Sequence, residues 1–250
     1  MEPTLAWLED PTVFRVNRLD AHSDHVTYLD IQELAAGKTS LRQSLDGLWR
    51  FRWSENPESR PADFWKPDFD DSDFDTIQVP GHMETQGYDQ IQYINKLYDW
   101  DGHAELRPPH IDWRHDPVGS YVTYFDLEET LLEHPVCISF QGVEQAMYVW
   151  LNGHFVGYSE DSFTPSEFDL SPYIHPTGNR LCVEVYKRSS AAWLEDQDFF
   201  SFSGIFRSVY LYAKTKCYVE DLWLNACLAP DNQTGTLRLR LKFVQTAVPK

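Results

Sequence analysis

The stretch Ala146-Met147-Tyr148-Val149-Trp150-Leu151-Asn152-Gly153-His154-Phe155-Val156-Gly157-Tyr158 decides the fold class. Two apolar runs, rich in aromatic and β-branched residues, flank Asn152-Gly153. Both central residues of a type I′ turn need positive φ, and Asn-Gly tolerates that best, so the stretch predicts a tight β-hairpin. The same texture extends outward from it. Trp49, Phe51 and Trp53 alternate with Leu48, Arg50 and Arg52, which gives a strand with one aromatic and one charged face. Tyr121 to Leu127, Val136 to Phe140, Leu181 to Lys187 and Arg207 to Ala213 read as further short strands. Many short strands with turn residues between them and almost no helical periodicity indicate an all-β sandwich or jelly roll.

Three regions differ from this block. Residues 1–44 mix Pro, Asp and His with few periodic apolar positions, and read as an extended N-terminal arm lying on another surface. Gly81 to Val118 is a long segment carrying Tyr88, Tyr93, Tyr98, Trp100 and Trp113. Loops of that length in a compact domain are functional or pinned to a neighbour, and so many rings predict packing on the same domain. Past Lys214, two strands are expected at Tyr218 to Leu228 and Thr236 to Val244. Leu237, Leu239, Leu241 and Phe243 fall on one face of the second, with Arg238, Arg240 and Lys242 on the other. Two strands alone are marginal in water. The expected division is therefore an arm over 1–44, a jelly roll over 45–214, and the start of a second β domain over 215–250 that continues in a longer protein.

Composition excludes several partners. A formal charge of −18, from 39 acidic and 21 basic residues, argues against a nucleic-acid backbone, which needs a positive footprint. No apolar run reaches membrane-spanning length, and the amino end lacks the basic and apolar regions of a signal peptide. The four cysteines, Cys137, Cys182, Cys217 and Cys227, form no C-x-x-C pair and read as reduced, mostly buried thiols. A cytoplasmic location is the simplest expectation.

Familiar catalytic motifs are missing: there is no nucleophile elbow, P-loop or dinucleotide fingerprint. His22, His25, His110 and His115 lack metal-ligand spacing and read as hydrogen-bonding histidines. The run from Asp68 to Asp75 lacks the glycine and glutamate of a calcium loop and reads as a solvated acidic turn. Trp193-Leu194-Glu195-Asp196-Gln197-Asp198-Phe199-Phe200-Ser201-Phe202-Ser203-Gly204-Ile205-Phe206-Arg207 is more informative, because it sets three carboxylates beside a run of aromatics. Acidic oxygens that hold hydroxyls or a cation, next to flat rings, suit a sugar site. A retaining glycosidase needs two carboxyl groups roughly 5–5.5 Å apart across the glycosidic bond, usually from separate segments. Neighbouring acids in one loop are more often a hydroxyl, cation or backbone-capping cluster.

Several stretches in order resemble the amino-terminal region of family 2 β-galactosidases. They are Asn17-Arg18-Leu19-Asp20-Ala21-His22, Leu45-Asp46-Gly47-Leu48-Trp49-Arg50-Phe51, Val79-Pro80-Gly81-His82, Gly87-Tyr88-Asp89, Tyr93-Ile94-Asn95, Val156-Gly157-Tyr158, Pro165-Ser166-Glu167-Phe168-Asp169-Leu170, Gly178-Asn179-Arg180-Leu181 and the stretch from Trp193. The resemblance implies a galactose-binding-domain-like jelly roll followed by the first strands of an immunoglobulin-like sandwich. It implies a catalytic barrel elsewhere in the parent, of roughly 250 residues, holding both catalytic glutamates, so that none lies in this segment. Asn95 matches a loop asparagine that reaches the sugar pocket, and Asp198 matches an aspartate that binds galactosyl hydroxyls and a sodium ion. A peripheral magnesium site of some members would fall near Asp10, Val13 and Glu160. Glu160 stands at a family glutamine and Ser190 at a family aspartate, a departure from that pattern. The segment from Leu97 to Asp116 also departs. In some members the arm supports subunit assembly, which makes residues 1–44 a candidate homo-oligomer interface. The expected function is part of a retaining β-galactosidase that hydrolyses terminal β-D-galactosides such as lactose. The alternatives are a free-standing carbohydrate-binding module and another family 2 specificity.

Overall fold

The computed structural model describes residues 2–95, 98, 100–101, 105–195 and 198–245. Two antiparallel sheets form a jelly-roll sandwich. The larger has seven strands: β1 (Arg15–Val16), β3 (Gly47–Ser54), β4 (Asp75–Val79), β6 (Val118–Phe125), β9 (Ala146–Leu151), β10 (His154–Ser159) and β12 (Asn179–Tyr186). They run in the order β1-β10-β9-β12-β6-β3-β4. Facing them is a sheet of β2 (Arg42–Ser44), β7 (Val136–Phe140), β11 (Ser166–Asp169) and β15 (Val209–Ala213), in the order β11-β7-β15-β2. Three two-stranded ribbons complete the β-structure among the described residues: β5 (Gln92–Ile94) with β13 (Phe199–Ser201), β8 (Val143–Glu144) with β14 (Gly204–Ile205), and β16 (Cys217–Leu228) with β17 (Gly235–Gln245).

The predicted hairpin is present. Leu151 pairs with His154, and the intervening Asn152 and Gly153 have φ of 52° and 82°. The alternation in β3 is also realised: Trp49 and Phe51 are buried while Leu48 and Arg50 are exposed. These two rings, with Tyr121, Val149 and Val183, lie in the core between the sheets. Yet the large sheet is covered on its other face as well. Tyr148, Trp150, Cys182 and Tyr186 form a second core with Trp7 and Leu8 from the arm and with Phe64, Phe74 and Ile111 from long loops. All eight residues of β12 are buried as a result. The arm thus lies on the sandwich itself, β1 extends the large sheet at its edge, and the one α-helix among the described residues, α1 (Ile31–Ala36), sits exposed on it.

Two sequence expectations are corrected. The acidic run is not uniformly solvated, because Asp71 is buried, accepts a hydrogen bond from Tyr124 (2.7 Å) and pairs with Arg180 (3.2 Å). A carboxylate flanked by apolar rings tolerates burial only with such partners. The cysteines are reduced, but only Cys137 and Cys182 are buried; Cys217 and Cys227 are exposed on β16. The face formed by Leu237, Leu239, Leu241 and Phe243 is real and is also solvent-exposed.

Candidate sugar site

Lys187 anchors the region around Asn95 and Asp198. Its ammonium, 2% exposed, donates to Glu84 (2.9 Å) and Asp89 (2.7 Å). Glu84 also accepts from the Ser203 hydroxyl (2.7 Å) and the Ser203 amide (2.9 Å). Asp89 lies just before β5 and Ser203 just after β13, so one buried ion triad fixes the roots of both strands of the ribbon. Buried charges persist where each has a hydrogen-bonded partner, as here.

The ribbon pairs Ser201 with Gln92, Phe200 with Tyr93 and Phe199 with Ile94. Asn95 follows β5 directly and Asp198 directly precedes β13. The two residues carried over by resemblance thus each adjoin the last pair of the ribbon, Ile94 with Phe199, and both are exposed. The Tyr93 hydroxyl donates to Asp198 Oδ1 at 2.7 Å, a diagonal contact that an aromatic side chain can span. This bond raises the Tyr93 pKa, since the carboxylate favours the protonated phenol. Tyr93 also packs against Phe200 (5.3 Å between ring centroids), and both rings are about half exposed. The tip can therefore offer an amide, a carboxylate and aromatic surface to hydroxyl groups.

The other acids of that stretch divide. Glu195 turns inward, accepting from the Ser162 hydroxyl (2.5 Å) and Gln145 (3.2 Å), and so caps a loop. Asp196 and Gln197 lie outside the described residues. Sequence reading missed Tyr93 as a partner of Asp198. The signal was its spacing, since Tyr93 and Asn95 are two apart on a strand and share a face.

The donor set near Asp10, Val13 and Glu160 does not suit a magnesium ion. Burial pushes the Glu160 carboxyl up to about 7, and its oxygens are taken by the Tyr158 and Ser190 hydroxyls. Asp10 accepts from the Thr12 amide (3.0 Å) and hydroxyl (2.6 Å) through Oδ1. No cluster of three or more His, Cys, Asp or Glu side chains able to hold a metal occurs among the described residues.

Residues 42–215 match the family described as "Glycosyl hydrolases family 2, sugar binding domain". The chain belongs to this family. A beta-galactosidase of Clostridium acetobutylicum is 54% identical over 244 residues, which cover 97% of this chain and 27% of that protein. The beta-galactosidase large subunit of Latilactobacillus sakei is 52% identical over 97% of this chain and 41% of its own length. The family 2 chain thus spans between about a quarter and two fifths of these relatives. Among solved structures, a calcium binding mutant of Bacteroides uniformis beta-glucuronidase 2 aligns with a TM-score of 0.62 at 19% identity, covering 82% of this chain and 22% of that one. An uncultured Clostridium sp. beta-glucuronidase gives 0.61 at 20% identity, covering 88% of this chain and 36% of that one. At such identities the likeness concerns the fold alone.

Proposed function

We infer that this chain is the N-terminal part of a retaining β-galactosidase and lends Asn95 and Asp198 to a galactoside pocket completed by other domains. The Tyr93 hydroxyl on the Asp198 carboxylate, beside the paired strands that Asn95 follows and Asp198 precedes, is the observation that supports the reading. Identity of about half to beta-galactosidases across nearly the whole chain supports it over a free-standing binding module. The acid/base and nucleophile glutamates lie in the parent's remaining domains, so this segment binds and orients but does not break the bond. In that role the Asn95 amide and Asp198 carboxylate engage galactosyl hydroxyls, and Tyr93 holds the carboxylate in place.

Asp198 Oδ2 and the Asn95 carbonyl are hard oxygen donors suited to sodium, which, when bound, would supply a fixed positive charge beside a sugar hydroxyl. We place no magnesium at Glu160. The exposed leucine face of β17 is covered, in this reading, by further strands of an immunoglobulin-like domain. The arm's exposed Phe14, Leu29, Ile31 and Leu34 are placed at a subunit interface, and the parent in the cytoplasm. No helix among the described residues is long and apolar enough to cross a membrane.

The test is Asp198→Asn in the full-length enzyme. The expected result is a fall in kcat/KM of at least about tenfold, the worth of a charged hydrogen bond, together with a weaker response to sodium. Unchanged kinetics with unchanged sodium response would remove Asp198 from the pocket.

A further inference from the structure

Asn152-Gly153 is the only Asn-Gly pair in the sequence, and the galactoside reading makes no use of it. The pair is chemically labile. The Gly153 main-chain nitrogen can attack the Asn152 side-chain carbonyl carbon, because glycine sets no Cβ in the way of the approach. A bond forms from the Gly153 nitrogen to Asn152 Cγ and the Cγ–Nδ2 bond breaks. Nδ2 departs as ammonia, taking the proton of the Gly153 N–H. Water then opens the succinimide ring at either carbonyl, leaving aspartate or isoaspartate at position 152.

The fold holds this amide against that reaction. Asn152 Oδ1 accepts from the Arg180 amide (2.8 Å), while Nδ2 donates to the Tyr173 carbonyl (2.9 Å) and to Asn179 Oδ1 (3.0 Å). The Asn152 main-chain N–H donates in turn to the Arg180 carbonyl (2.9 Å). Main chain and side chain therefore both bond to Arg180, and they carry the β9–β12 ladder one residue past the Leu151–Leu181 pair. Asn179 is fully buried, and its Oδ1 also accepts from the His175 amide (2.8 Å), so this acceptor is fixed in place. Ring closure needs Cγ brought onto the Gly153 nitrogen and turned from planar to tetrahedral. Three hydrogen bonds to the planar amide resist both changes.

The products do not fit the same bracket. Aspartate sets an oxygen where Nδ2 stood, facing the Tyr173 carbonyl and Asn179 Oδ1 with no proton to share between them. Isoaspartate adds a methylene to the main chain of the two-residue turn that pairs Leu151 with His154. We propose that Asn152-Gly153 is a deamidation site kept latent by the jelly roll. Its conversion reports how often β9, β12 and the 173–179 loop come apart, and each conversion leaves a chain that folds less stably. The site is remote in sequence from Asn95 and Asp198 and is independent of the galactoside reading.

Peptide mapping by mass spectrometry, on the chain incubated at mildly alkaline pH over a series of urea concentrations, tests the proposal. Conversion at Asn152 should be at least about a hundredfold slower in the folded chain than in the urea-unfolded chain, the factor for opening three ordinary hydrogen bonds. Below the unfolding midpoint it should rise with urea in step with the unfolded fraction. Asn152→Asp, which is the aspartate product itself, should melt about 5 °C below the wild type. Conversion as fast in the folded chain as in the unfolded one overturns the proposal. So does slow conversion that ignores urea, which assigns the opening to local fraying of the turn, or an Asn152→Asp chain that melts with the wild type.

Discussion

His22 shows how much one side chain can tie together. Its Nε2 meets Glu167 at 2.7 Å, and the Tyr212 hydroxyl donates to the same carboxylate oxygen at 2.8 Å. The hydrogen bond to Glu167 is the main reason the imidazole pKa rises from 6.5 to about 9, against the opposing effect of burial. Because the folded-state value is raised, this stabilisation is complete below pH 6.5 and is lost as pH rises through about 9. Urea midpoints measured across that window should fall with pH, and His22→Asn should flatten the slope. Lys187 makes a second prediction at this scale. Lys187→Met leaves Glu84 and Asp89 without their cation and should cost about 3 kcal/mol in urea unfolding. A loss below ~1 kcal/mol would mean that the triad does not anchor the ribbon.

At the scale of elements, the Asn152-Gly153 hairpin was fully legible, because turn chemistry is local. Gly153 has φ of 82°, and an added Cβ would lie 2.8 Å from the Pro67 ring. Gly153→Ala should therefore destabilise by about 2 kcal/mol through backbone strain and that clash, read as a lower melting temperature. β7 and β9 match the predicted runs end to end, because their burial leaves continuous apolar residues. Asp71 was misread because its partners, Tyr124 and Arg180, come from distant strands that no local pattern reveals. That the strands beside Asn95 and Asp198 pair was equally hidden from composition and spacing. Each of the two residues was reached only by resemblance, and their shared ribbon depends on the buried lysine that roots it.

At the scale of the whole molecule, β16 and β17 form a two-faced ribbon. Leu239 and Leu241 pair with Leu224 and Leu222 on one face, while Arg240 lies over the Trp223 ring (5.2 Å) on the other. An exposed apolar face of this size marks an interaction surface. Phe243→Lys should reduce concentration-dependent association in sedimentation velocity while leaving the melting of the jelly roll unchanged. The sandwich, by contrast, is buried on both sides of its larger sheet, and the arm supplies part of that cover. This arrangement suits a rigid platform that holds a polar tip, and under the proposed reading bond cleavage falls to carboxyl groups outside this chain. Incubation of the purified chain with a chromogenic β-galactoside tests that division of labour most directly. The account predicts no release of chromophore above buffer at any pH; turnover by the chain alone, abolished by Asp198→Asn, would contradict it.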